Sequence, residues 1–161
     1  MTDFTDIYDN ALVVIKDYNL DDLSTRNPEA FMMFMKSLLQ TGIPFFNCCL
    51  HSLDFEETDE EVTEDGVTHW VTHTYFVDTL TMKEKSILAM CIVYQWFKRD
   101  VNDASQFRQK LSTRDFKTES SYQSLQKRSE YLDKLREQIQ QEILNYQLDN
   151  MDNFVELYGS I

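Results

Sequence analysis

The sequence predicts a mainly α protein: a helical bundle with a long C-terminal helix and an inserted two-stranded β-ribbon over about residues 50–78. Three observations carry this. Apolar residues recur at helical spacing over most of the 161 positions. One stretch departs from that period: Val67 to Val77 is rich in Thr, Val and aromatic residues, as a strand requires. The chain also holds only 3 Gly and 2 Pro, which argues against a loop-rich architecture. Its size suits one domain, residues 1–147 with the ribbon inserted, followed by a C-terminal tail, 148–161.

In chain order, Phe4, Ile7, Tyr8, Ala11, Leu12, Val14, Ile15 and Tyr18 share one face, so a first helix is expected over residues 3–18. Asn19 to Ser24 reads as a polar connection. Asn27-Pro28-Glu29 starts a second helix, since Asn caps and Pro suits the first helical position. Its stripe is Phe31, Phe34, Met35, Leu38 and Leu39, and Gly42 with Pro44 marks its stop. Phe45 to Leu53 is apolar and expected to pass through the core.

Asp54 to Asp65 carries eight carboxylates and no cation. Like charges repel and stay hydrated, so a solvated hairpin tip or mobile loop is expected there. A divalent-cation site is disfavoured, because the spacing of a calcium loop is missing. Asp65-Gly66 marks a turn, and the strand after it should pair with the segment around Leu50 to Glu57. Val67, His69, Val71, His73, Tyr75 and Val77 would face one side; Thr68, Trp70, Thr72, Thr74 and Phe76 would face the other. An isolated ribbon is marginal in water, so this one should lie on the helices or on another subunit.

Thr81-Met82-Lys83-Glu84 matches a capping box. The helix it opens, 82–99, is nearly apolar all round at its centre and should be central to the core. A short helix is expected over Ala104 to Leu111 and a loop over Ser112 to Ser121, with Phe116 as anchor. From Ser121 to about Gln147 no Gly or Pro interrupts a strong helix former, and Leu125, Leu132, Ile139 and Tyr146 repeat at seven residues. In the tail, Phe154 and Tyr158 are apolar enough to dock on a neighbour.

Charge divides the chain. Residues 1–80 hold 16 Asp and Glu against 3 Lys and Arg, and residues 81–161 hold 12 of each, for a net −13. An acidic half repels phosphate, so sequence-reading nucleic-acid binding is not expected. The cations Arg108, Lys110, Arg114, Lys117, Lys127 and Arg128 suit pairing with the acidic half of a neighbouring copy. Such a head-to-tail contact closes into a ring where the rotation allows.

Catalytic and cofactor chemistry is not expected. No nucleophile elbow, P-loop or zinc-protease helix occurs in the sequence. His69 and His73 would lie about 13 Å apart on one strand face, too far for one zinc ion. They and His51, which could approach one of them across the ribbon, read as ribbon-surface residues. Cys48, Cys49 and Cys91 read as free thiols of a reducing compartment. No apolar run approaches the 18 residues that a membrane span needs.

One pattern runs through the middle of the chain. It comprises Leu80-Thr81-x-x-Glu84-x-x-Ile87-Leu88-Ala89, then Val93-x-x-Trp96, then Arg108-Gln109-x-Leu111-Ser112-x-x-Asp115-Phe116-Lys117, with the Leu125-to-Tyr146 helix behind. Upstream lies Leu38-Leu39-x-Thr41-Gly42-Ile43-Pro44-Phe45-Phe46. Over residues 28–147 this resembles small virion proteins of tailed bacteriophages, of the neck or head–tail connector (adaptor) kind. The acidic ribbon 54–78 is longer than that pattern needs.

The resemblance implies a structural protein without an active site or cofactor. It implies a homo-oligomeric ring, a dodecamer in that family, beneath the portal, through which DNA passes without sequence-specific binding. Its partners would be the portal protein and the next neck or tail component, and its place the virion neck after synthesis in the bacterial host cytoplasm. The ribbon and the tail would make the contacts, with Trp70, Tyr75, Phe154 and Tyr158 as aromatic anchors and Arg108, Arg114 and Lys117 as charged ones. Two alternatives stand beside it: a tail or baseplate component with the same helical core, or a small acidic regulator that mimics DNA toward a basic partner.

Overall fold

A computed structural model describes residues 1–64, 67–112 and 119–158, with side chains described except at 62, 64, 67, 69, 104–112, 119–125 and 152–158. The element order is β1 (Thr2–Asp3), α1 (Phe4–Leu12), α2 (Tyr18–Arg26), α3 (Pro28–Gly42), a 3-10 turn (Ile43–Phe46), β2 (Phe55–Glu64), β3 (Val67–Phe76), α4 (Met82–Ser112) and α5 (Glu119–Tyr158). The protein is mainly helical, with one small antiparallel sheet.

Helix α4 is the centre of the molecule, packed against α1, α3 and α5. Its Ile87, Leu88, Ala89, Cys91, Ile92, Val93 and Tyr94 are all buried, as the apolar sequence around them requires. Each fully buried Ile or Leu contributes about 1.5–3 kcal/mol of transfer free energy. Onto this helix α1 places Phe4, Ile7, Tyr8 and Ala11; α3 places Met35, Leu38 and Leu39; α5 places Leu135, Ile139 and Tyr146. The heptad seam of α5 is therefore an inward face, with Leu132 and Ile143 half-buried beside it.

Helix α3 ends at Gly42, the expected stop, but not through a left-handed cap. Its φ of −83° is ordinary right-handed helix, and the chain continues straight into the 3-10 turn. What needs glycine is space, because a Cβ there would stand 2.9 Å from the Cβ of Cys91. At Gly42, α3 and α4 approach closely enough to exclude a side chain.

Several expected boundaries shift. The first helix breaks after Leu12, and Asn19 to Ser24, expected as a polar connection, lie inside a helix, α2. Asp17 nucleates α2 by accepting a 2.9 Å hydrogen bond from the Asn19 N–H, while Leu20 buries its side chain. The helix expected over 82–99 and the short one over 104–111 are one helix, because no Gly or Pro separates them. Likewise α5 runs unbroken through residue 147 to Tyr158, so residues 148–158, expected as a tail, continue that helix. Most of the loop expected around Phe116 lies outside the described residues.

The sheet has three strands, in the order β1-β3-β2, rather than the two of a simple ribbon. Thr2 and Asp3 pair with Phe76 and Tyr75, and β2 pairs with β3 from Phe55↔Phe76 to Glu64↔Val67. The pairing partner of β3 thus lies further along the chain than the expected Leu50–Glu57. The acidic run, expected as a solvated tip or loop, is β2 itself. Alternation explains why a strand tolerates it: same-face carboxylates lie about 7 Å apart in water, and β3 supplies the β-prone, uncharged partner.

The ribbon roots in the core and projects from it. Phe76 is fully buried, with its ring 4.6 Å from that of Phe4, which also meets Phe55 at 5.5 Å. One step outward, Lys36 on α3 pairs with Glu57. Further out Trp70 is 68% exposed. Among the described residues no helix is long and apolar enough to cross a membrane.

Candidate functional site

The capping box at the start of α4 forms, and then does more than cap. Thr81 N–H donates to Glu84 Oε2 at 2.6 Å, and Glu84 N–H donates to Thr81 Oγ1 at 3.3 Å. The same hydroxyl gives its own proton to Glu84 Oε2 at 2.9 Å. A capping-box glutamate usually sits at the surface, but Glu84 is fully buried. Its helix starts beneath the chain that leaves the 3-10 turn and beside α5, and these two elements cover it.

Both elements supply donors. From α5 the Tyr146 hydroxyl donates to Glu84 Oε1 at 2.6 Å. From the segment after the 3-10 turn, Cys49 Sγ donates to Oε1 at 3.4 Å, and His51 Nδ1 lies 2.9 and 3.0 Å from the two oxygens. A carboxylate only accepts, so His51 is held in the form protonated at Nδ1. The Tyr146 oxygen also accepts from the Leu50 N–H at 3.1 Å, closing the network. His51 is therefore a partner of Glu84 at the ribbon's root; the expected place opposite His69 or His73 is not where it lies.

The electrostatics follow from this geometry. Burial works against the charge of Glu84, but the hydrogen bonds from Tyr146, His51 and Thr81 outweigh it and hold the carboxyl at about 2. Burial first, and then the Glu84 charge, push the Cys49 thiol up to about 12. Burial and the same carboxylate also raise the Tyr146 phenol. The thiol and phenol stay protonated as donors, and the carboxylate stays ionised as their acceptor. Such a set is suited to fastening: it ties the segment before β2, the start of α4 and the inner face of α5 at one atom pair.

Around that junction the ribbon ends are fastened as well. Leu80 N–H donates to the buried Thr2 Oγ1 at 2.7 Å, and Ser52 N–H donates to Asp78 Oδ2 at 2.7 Å. The ribbon is thus clamped at its root and open beyond it. On its exposed part Thr72 Oγ1 donates to Asp59 Oδ1 at 2.8 Å, and His73 Nε2 lies 3.6 Å from Glu60 Oε2.

Of the sequence-predicted contact residues, the side chains of Trp70 and Tyr75 are described, and they lie on opposite faces of the ribbon. Trp70 is exposed on the ribbon face that carries Phe76 at its root. Tyr75 lies on the opposite face, half-buried, with its hydroxyl donating to Glu56 at 3.4 Å. Arg108 is in α4, and Phe154 and Tyr158 are in α5, but their side chains lie outside the described residues, as do Arg114 and Lys117 entirely. What sequence reasoning missed is the convergence of Cys49, His51, Glu84 and Tyr146. The available signal was a capping-box acid opening a helix too apolar to leave it in water.

Elsewhere a cleft of about 350 Å³ lies between α2, α3 and α4, lined by Leu20, Phe34, Trp96, Arg99 and Asp100 among others. Its charges are engaged with neighbours: the Arg99 guanidinium lies 4.9 Å over the Phe34 ring, and Asp100 pairs with Arg128 at 2.6 Å. Among the described residues no group of three or more His, Cys, Asp or Glu side chains is arranged to hold a metal ion. No protein-family model, characterised protein or solved structure matches this chain.

Proposed function

We propose that this chain is a structural virion protein, a head–tail connector subunit that forms a ring beneath the portal of a tailed phage. The observation that carries the reading is where the resembling pattern falls in the fold. Leu80, Glu84, Ile87, Leu88, Ala89 and Val93 are buried, and with Tyr146 they make the junction of α4 with its neighbours. Over its described part the pattern thus coincides with core positions, which supports an architectural role.

Two further features support it. The ribbon projects beyond the helical body, as an extended contact element does. The exposed Leu144, Leu148 and Met151 recur at helical spacing on α5, on the side away from the Leu135–Ile139 seam. A lateral neighbour in a ring would cover that stripe. In this reading Trp70 anchors a ribbon contact, and DNA passes an acidic surface without adhering.

Mass spectrometry of purified virions, with mass photometry of the isolated protein, tests the proposal. A connector is recovered in the particle at a fixed ratio to the portal protein and forms closed rings. Recovery only from the infected cell lysate, and never from particles, would overturn it and favour the acidic-regulator reading.

A further inference from the structure

The two long strands of the ribbon differ in chemistry, and their outer edges differ in consequence. β2 carries Glu56, Glu57, Asp59, Glu60, Glu61 and Glu64, whereas β3 carries no Asp, Glu, Lys or Arg from Val67 to Phe76. β1 occupies the outer edge of β3 only at Tyr75 and Phe76. From Val67 to Thr74, among the described residues, no strand pairs on that side. Folded proteins blunt open edges with charge, proline or a bulge. β2 is blunted by its carboxylates, and its register with β3 is continuous from Phe55 to Glu64. β3 has no Asp, Glu, Lys, Arg or proline over its open length.

We propose that the open edge of β3, residues 67–74, is a strand-addition site for an extended basic segment of a partner protein. The open edge supplies alternating N–H and C=O groups, which give main-chain affinity to any extended chain. Charge selects among such chains. A strand added beside β3 lies two strand spacings, about 10 Å, from β2. That is within reach of lysine and arginine side chains and within the screening length of dilute salt. Trp70, exposed on one face of the same strand, offers an apolar contact to the incoming side chains.

The same charges argue against a second copy at this edge. Pairing β3 with another β3 would add a strand without a lysine or arginine to offset the six carboxylates of each β2, and would join two strongly acidic ribbons. Nucleic acid is repelled outright. The site stands independently of the virion reading, because it rests on the strand edge and its charge alone.

The test uses the full chain and three synthetic peptides of about nine residues, a strand length. One alternates lysine with valine and threonine, one replaces lysine by glutamate, and one keeps lysine but carries N-methyl groups at alternate amides. Hydrogen exchange of residues 67–74 is the readout. Expected is slowed exchange with the lysine peptide only, weakening as salt rises. The variant E56Q/E60Q/E64Q should bind the lysine peptide more weakly while keeping its thermal midpoint. Equal protection by the N-methylated peptide would reduce the effect to charge and overturn strand addition. Protection by the glutamate peptide, protection by neither unmodified peptide, or protein-concentration-dependent protection without peptide would each overturn the proposal as well.

Discussion

The Tyr146 hydroxyl donates a 2.6 Å hydrogen bond to the carboxylate of Glu84, joining the inner face of α5 to the first turn of α4 across 62 positions of sequence. The bond is buried and charge-assisted, and the same phenol oxygen receives the Leu50 N–H. Tyr146→Phe removes a donor and an acceptor at once while keeping the ring that packs 5.0 Å from Phe46. Urea unfolding should show a loss of about 2–3 kcal/mol. A loss below about 0.5 kcal/mol, the range of ordinary surface changes, would show that α5 is held by its apolar seam alone.

Acid should loosen the same junction, in a window set by Glu84. Its folded carboxyl, which burial would raise but hydrogen bonds from Tyr146, His51 and Thr81 lower, lies at about 2 against an ordinary 4.5. A depressed acid contributes stability that is fully present above about pH 4.5 and is lost as pH falls toward 2. Thermal midpoints recorded downward from pH 7 should therefore fall more steeply below that point for the natural chain than for Glu84→Gln. Parallel curves would remove Glu84 from the account of acid stability.

At the contact of α3 with α4, Gly42→Ala places a methyl group 2.9 Å from the Cys91 Cβ. Both are on packed helices, so the helices must separate. Overpacking of this kind costs about 1–3 kcal/mol, although alanine is the better helix former. Calorimetry should show a lowered midpoint for Gly42→Ala, and the double variant Gly42→Ala/Cys91→Gly should lose less than the two single variants together. An unchanged midpoint in the single variant would mean that the backbones separate freely.

The thiols give a chemical probe. Burial raises Cys91 to about 12, and burial with the Glu84 carboxylate raises Cys49 to about 12. The thiolate is the reactive form, so both should resist iodoacetamide at pH 8 in the folded protein and react on unfolding. In Glu84→Gln the carboxylate no longer opposes ionisation of Cys49, and its alkylation should quicken while Cys91 stays inert. Equal rates at Cys49 in the two proteins would assign its protection to burial alone.

Much of the helical body was legible in the sequence. The start of α3 at Asn27-Pro28, the capping box at Thr81 and Glu84, the apolar centre of α4 and the heptads of α5 are local signals, and each sits where its period placed it. Boundaries were less legible. The run from Leu12 to Tyr18 continues a helical period, yet the helix ends after Leu12, and nothing in hydrophobic spacing forbids continuation. The acidic strand was hidden because its composition argues against β structure. Only the neighbouring β3, pairing along its full length, overcomes that preference.

The sequence by itself determined the class of fold, because helical period and the single β-prone stretch are properties of residues and their near neighbours. Tertiary structure alone decided what Glu84 is. Locally it is a cap. Three distant groups, Cys49, His51 and Tyr146, reach it only once α5 and the segment before β2 have packed on α4, and burial makes leaving that charge without partners costly. The same holds for the ribbon. Only β3 is written in the sequence, and which of its edges stays open depends on where β1 ends, at the turn of the chain into α1 after Asp3.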